Sequence, residues 1–392
     1  MIPSTPVGCA LASLVSAMQF LQCSTGGIFY RCVVQCATSS SYARFGDPRT
    51  PSEIALKHST LPVALETLAE GQRQALLTDL SSSSPTHDAM RRAKLMLRFE
   101  APTLRRCPRC VTEDLRAHGF AFARSVHQIS TVRTCPEHGC LLQEICGDCG
   151  AQFESRVAER KALRALEVCR RCGSTAGRSM IRDKSEGYQA YVQLIARGSL
   201  GNSPEVHPQQ LKIALDRFSD LTIEHGIDLR QVMAKFWRVK TWEEVCERIG
   251  VTPGELKKSL VFGAPPHRVL AAYGLASFYH SCVKGDSSLP VGLSKHFPPW
   301  TILKPYKVDE GIRERAHQLG IPMRIVFFLT RGNWAAIRRD GALKLVRDFI
   351  LELDERQKKR VYDARRRAIQ VNFFTRRNRR ARLLQEAAHI GG

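Results

Sequence analysis

Four short turns in the middle of this 392-residue chain carry sulfur and imidazole at spacings suited to a metal ion. Cys107-Pro-Arg-Cys110 is followed, after 24 residues, by Cys135-Pro-Glu-His138; then come Cys146-Gly-Asp-Cys149 and, after 19 more, Cys169-Arg-Arg-Cys172. Two donors three residues apart turn onto one ion through a short knuckle, whereas disulfide frameworks spread their cysteines to close long loops. Eight such donors make two tetrahedra, and thiolate with imidazole selects Zn2+ over Mg2+ or Ca2+. The expectation is therefore two zinc ions per chain. The sequential grouping puts Cys107, Cys110, Cys135 and His138 in a mixed site and Cys146, Cys149, Cys169 and Cys172 in a four-cysteine site. It is preferred over a cross-braced arrangement. Gly139, Gly147, Gly150 and Gly173 would supply the left-handed residues that such knuckles use. Cys140 reads as a buried thiol rather than a ninth ligand, and His127 as a packed or surface histidine.

Closed four-ligand sites are structural, because metal catalysis requires an open position for water. A zinc deaminase would place His-x-Glu upstream of Pro-Cys-x-x-Cys, but Arg106 precedes Cys107 and no His-x-Glu lies before it. Thioredoxin-like redox chemistry needs one CxxC after a strand in an α/β pattern, not a series of paired turns. A zinc-supported nuclease remains the enzymatic alternative, although no cluster of two histidines and an asparagine stands between the pairs.

The composition says what holds these turns. At 43% hydrophobic and 24% charged the chain is globular, which excludes wholesale disorder, and no run approaches the ~18 apolar residues of a membrane span. Clustered thiols and an opening without positive charge, from Met1 to Tyr30, fit a reducing, cytoplasmic compartment rather than secretion. The predicted fold class is mainly α, in four zones. Residues 1–100 are a divergent N-terminal helical region, or a mis-set start, with Cys9, Cys23, Cys32 and Cys36 as small buried hydrophobes and short helices within 56–80 and 89–99. Residues 101–185 are a double zinc-ribbon-like module. Residues 186–350 are a helical domain, with amphipathic stretches marked by Leu211, Ile213, Leu215, Phe218, Leu221 and Ile223 and by Val232, Met233, Phe236 and Trp237. A Pro/Gly-rich linker at 285–305 divides that domain, and residues 351–392 are a basic helical tail.

The net charge of +22 favours a polyanion, and nucleic acid is the commonest large one. Two segments fit that partner. From Ile312, Ala316 falls where two helices touch, Gly320 at a turn, and Val326 and Leu329 on the inner side of a second helix, the pattern of a helix-turn-helix. Its outward face would then carry Met323, Arg324, Phe327 and Phe328, so the shape is better supported than base readout, with Arg324 as the DNA-contacting side chain. Trp242–Leu260, turning at Gly250, reads as an ordinary helical hairpin. The tail holds twelve cations against five carboxylates, with Phe373 and Phe374 interleaved. Arg365, Arg366, Arg367, Arg376, Arg377, Arg379 and Arg380 are its phosphate-contacting candidates.

The order CPRC, CPEHG, CGDC, CRRC, followed by a helical region with helix-turn-helix signals in a basic chain, resembles the TniQ family of TnsD-like proteins. The resemblance is specific over 105–175, extends to about 345 and is weak over the first hundred residues, where the family's Glu-Ser-Leu-type opening is not found. It implies a non-catalytic accessory protein of DNA transposition that selects target sites and recruits a AAA+ ATPase and a DDE transposase, in some members as a homodimer on an RNA-guided complex. It also implies that Cys107, Cys110, Cys135 and His138 form the first zinc motif and Cys146, Cys149, Cys169 and Cys172 the second. The residues agree where they speak: no GxxxxGK[ST] loop and no assignable carboxylate trio occur, so ATP hydrolysis and strand transfer are expected from other chains. The rival reading is a zinc-containing helix-turn-helix transcription regulator.

Overall fold

The computed structural model describes residues 60–80, 99–101, 103–119, 121–153, 167–169, 171–175, 185–224, 226–283, 308–339 and 341–371, with single positions at 56, 86, 88 and 92. Outside them lie Cys9, Cys23, Cys32 and Cys36, most of the helix expected over 89–99, the 285–305 linker, Phe373 and Phe374, and Arg376, Arg377, Arg379 and Arg380. Among the described residues the fold is mainly helical, with no strand and five isolated bridges. In chain order the helices are α1 (Leu61–Leu65), α2 (Glu70–Leu80), α3 (Pro108–His118), α4 (Glu186–Ser199), α5 (Pro208–Ile223), α6 (Leu229–Phe236), α7 (Trp242–Arg248) and α8 (Pro253–Phe262). They continue with α9 (Val269–Phe278), α10 (Glu310–Gln318), α11 (Met323–Thr330), α12 (Trp334–Arg339), α13 (Leu343–Leu351) and α14 over 355–371. None is long and apolar enough to cross a membrane. The chain forms two compact units, one from Met1–Leu211, Met233–Leu256 and Pro266–His296, the other from Lys212–Val232, Lys257–Pro265 and Phe297–Gly392.

In the first unit α4 packs against the stretch that leads into Cys135. Ser185 caps it by accepting from the Tyr188 backbone N, and Tyr188, Tyr191, Val192 and Ile195 repeat at helical spacing on one buried face. Tyr188 and Tyr191 stack around Trp237, with centroids 5.9 and 5.1 Å from its ring. Their hydroxyls reach the stretch that leads into Cys135. Tyr188 Oη donates to the Thr131 carbonyl at 2.7 Å and accepts from Arg133 N at 2.5 Å, and Tyr191 Oη pairs with Thr131 Oγ1 at 2.8 Å. Further along the same face of α4, α9, buried from Leu270 to Phe278, presses Tyr273 against Gly198, where a Cβ would stand 2.1 Å from the Tyr273 hydroxyl. Glycine is required there by that close approach.

The second unit is built on the predicted helix-turn-helix segment. Asp309 caps α10, Gly320 makes the turn at φ +63°, and Ala316, Val326 and Leu329 are fully buried. The outward face does not exist as expected, because every residue from Met323 to Leu329 is buried. A helix apolar on all sides belongs inside a bundle. On α5, Leu215, Phe218, Leu221 and Ile223 are buried as their spacing suggested, but Ile213 is 51% exposed. The basic tail also changes character: α14 buries Val361 and Ala364 in the same core, and Gly332, at φ +67°, meets its backbone so closely that a Cβ would stand 2.4 Å from the Ala364 carbonyl. Residues 355–371 are thus part of the folded unit.

Candidate metal centres

The four paired turns are of two kinds. Cys107 is the N-cap of α3, with Pro108 in the first turn, and its Sγ accepts from Cys110 N at 3.5 Å. The other three share one hydrogen-bond pattern. Cys135 N donates to the Cys140 carbonyl at 2.8 Å, Cys146 N to Ala151 at 2.8 Å, and Cys169 N to Ser174 at 2.7 Å. In each, the glycine after the second ligand donates back to the first cysteine's carbonyl, from Gly139, Gly150 and Gly173 at 2.7 to 3.0 Å. Those glycines have φ of +65°, +69° and +73°; Gly147, expected to join them, does not enter the left-handed region. A bridge closes each loop: Thr134 with Leu141, Ile145 with Gln152, and Val168 with Thr175.

The donor atoms gather in the sequential grouping. His138 Nδ1 lies 3.5, 3.3 and 3.5 Å from the sulfurs of Cys107, Cys110 and Cys135, and the Cys110 and Cys135 sulfurs are 3.5 Å apart. Around them stands a polar shell. His138 Nε2 donates to Glu113 Oε1 at 2.8 Å, Arg124 donates to Asp114 at 2.9 Å and to Glu137 at 2.8 Å, and Glu137 Oε2 is 3.8 Å from Cys110 Sγ. Cys140 is buried as expected, its sulfur 3.2 Å from that of Cys107 but outside the set of four. His127 is fully buried too, and burial pushes its imidazole down to about 4. Hydrogen bonds from Cys107 and then Cys110 hold the Cys135 thiol well below its usual range.

In the second set, Cys146 and Cys172 sulfurs are 3.7 Å apart and Cys149 and Cys169 sulfurs 3.5 Å. Ser174 Oγ donates to Asp148 Oδ2 across the cluster. A hydrogen bond from Cys172 N is the main cause that brings the Cys169 thiol down to about 6. Cys146 and Cys169 share a core with Leu104, Val111 and Phe153, and the Arg106 guanidinium lies 4.1 Å over the Phe153 ring.

Both sets fit one ion each. Sulfurs about 2.3 Å from a tetrahedral ion stand about 3.8 Å from one another, close to the spacings found. The donor chemistry is compatible with zinc, which would be held by Cys107, Cys110, Cys135 and His138 and by Cys146, Cys149, Cys169 and Cys172. Four protein donors leave no corner for water, so the arrangement suits folding rather than hydrolysis. Spacing in the sequence did not reveal Glu113, which orients His138, nor Arg124, Glu137 and Asp148. Only Glu137 and Asp148 stand inside ligand turns, where such a role could have been suspected.

The residues expected on DNA divide. Arg365, Arg366 and Arg367 are exposed on α14, with Arg365 Cζ 4.7 Å over the Trp334 ring. Arg324 is not outward: it is 2% exposed and ion-paired to Asp216, because α11 is the buried member of its bundle.

No curated protein matches the chain. The TniQ family model matches residues 5–142, which takes in the first hundred residues, where the resemblance read from motifs was weakest, and stops before the second cysteine set. Over residues 5–142 the chain is thus similar to the TniQ family, a transposition-associated family.

Proposed function

We propose that the protein is a DNA-binding, non-catalytic accessory factor that selects the target site in DNA transposition and recruits the AAA+ ATPase and DDE transposase. The observation that carries this reading is the closed ligand set of Cys107, Cys110, Cys135 and His138 inside the segment that matches TniQ. Two zinc ions, when bound, supply cross-links in place of a larger apolar core. The chain's own residues do the rest. Tyr188 and Tyr191 fix the stretch that leads into the Cys135 turn to α4, which supports a rigid surface for partner proteins. The exposed cations of α14, continued by Arg376, Arg377, Arg379 and Arg380, offer sequence-blind phosphate contacts. Arg324 has no part in them.

Two measurements test the reading. Affinity capture from cells that carry the element should retain an ATPase or transposase, with no Mg2+-dependent cleavage by the purified chain. Deleting 372–392, which leaves the packed part of α14 intact, should weaken binding to unrelated DNA sequences alike and flatten the salt slope. A tight preference for one palindrome with no such partner would favour a transcription regulator instead.

A further inference from the structure

The residue before the first ligand is among the most deeply buried large side chains described: Arg106 is 2% exposed. Its backbone pairs with Gln143 in both directions, at 3.1 and 2.8 Å, and its Nε donates to Gln143 Oε1 at 3.3 Å. From this anchor the side chain lays its guanidinium over Phe153. That ring belongs to the core formed with Cys146 and Cys169, ligands of the other set. Arg106 is therefore joined to one centre by its peptide bond and to the other by its charge.

The two centres differ in what they need. Four thiolates around a divalent zinc leave a doubly negative group, whereas three thiolates and an imidazole leave a single negative charge. Net charge held out of water is costly unless a partner of opposite sign lies nearby. At the mixed centre Arg124 stands close by, but it is shared with Asp114 and Glu137. At the four-cysteine centre the buried cation is Arg106. A guanidinium suits the place because its flat face stacks on an aromatic ring while its charge stays spread over the N–H edge.

We propose that Arg106 is the buried counter-ion of the centre formed by Cys146, Cys149, Cys169 and Cys172, and not of the centre whose ligand it adjoins in the chain. The inference rests on the reading that both sets hold zinc. It predicts that a substitution beside Cys107 loosens the other ion.

The test uses the full chain, with zinc content measured first and affinity then measured by chelator competition. The two centres are told apart by cobalt substitution, since four-sulfur and three-sulfur-one-nitrogen cobalt differ in visible absorption. Arg106→Gln should weaken the four-sulfur centre about 10- to 100-fold, the range for residues that support ligands, and leave the mixed centre within about threefold. Arg106→Lys, which keeps the charge, should hold both within about threefold of wild type. Equal loss in the Lys and Gln variants overturns the proposal in favour of packing on Phe153, and so does selective loss at the mixed centre or no loss in either. Should the Gln variant not fold, the Lys variant decides: retention at the four-sulfur centre supports the counter-ion role and a tenfold loss overturns it. A wild-type chain with fewer than two ions overturns the zinc reading and this inference together, whereas two ions without selective loss overturn the inference alone.

Discussion

His138 Nε2 lies 2.8 Å from Glu113 Oε1, while its Nδ1 faces three cysteine sulfurs. A carboxylate only accepts, so the ring proton sits on Nε2 and the lone pair on Nδ1 is aimed at the ion position. One turn of α3 thereby fixes both the tautomer and the ring plane of a ligand 25 residues further on.

Glu113→Ala should lower zinc affinity at the mixed centre about 10-fold or more, with the four-cysteine centre unchanged. Glu113→Gln, which can still accept from Nε2, should lose less. Chelator competition reads both, and equal affinity in all three proteins would show that the bond does not orient the ligand.

Arg324→Met should destabilise the protein by about 3 kcal/mol, since it leaves Asp216 without its cation in a partly buried position. Arg366→Ala, on the exposed face of α14, should leave the thermal midpoint within about 1 °C and instead weaken DNA binding. The opposite pattern, with Arg324 affecting binding but not stability, would return α11 to the role of a reading helix.

Burial, and then repulsion from Glu224, push the Asp220 carboxyl up to about 6 despite its hydrogen bond from Met323 N and the nearby Arg217 and His317. A group that binds its proton more tightly when folded contributes stability in acid, and that contribution is lost as pH rises from about 4 to about 6. Asp220→Asn should therefore be more stable than wild type at pH 7.5, by roughly 1–3 kcal/mol, and no more stable near pH 4. Denaturant titrations at the two pH values check this, and a variant less stable at pH 7.5 would contradict it.

Gly332→Val should undock α14, because a Cβ there meets the Ala364 carbonyl and φ is positive. A loss of roughly 2–4 kcal/mol and new protease cleavage within 355–371 are expected. Unchanged protection would mean that Val361, the Asp309–Arg360 pair and the stacking of Arg365 on Trp334 hold α14 without that close approach.

The two metal-compatible donor sets were legible because three-residue spacing is a local covalent constraint, repeated here with the same glycine at three turns. The burial of Ala316, Val326 and Leu329 and the turn at Gly320 were legible for the same reason, since they depend on one turn. What surrounds α11 was not, because burial of Arg324 depends on Asp216, more than a hundred residues earlier. The run MRIVFFL, with one polar residue in seven, did carry a hint that no face was free. The tail misled because charge density hides the sparse stripe of Val361 and Ala364, which only becomes informative once Gly332 is seen against it. Arg106 and Glu113 were illegible as supports, because each acts across a turn of chain that spacing does not describe.

The account stands on two closed metal centres, and zinc-edge X-ray absorption on the purified chain, combined with metal analysis, tests that directly. The predicted result is about two zinc per chain, each four-coordinate, with an average first shell of seven sulfurs and one nitrogen shared over the two ions. One zinc per chain, or a shell with an oxygen from bound water, would contradict it and reopen a catalytic role for the cysteine turns.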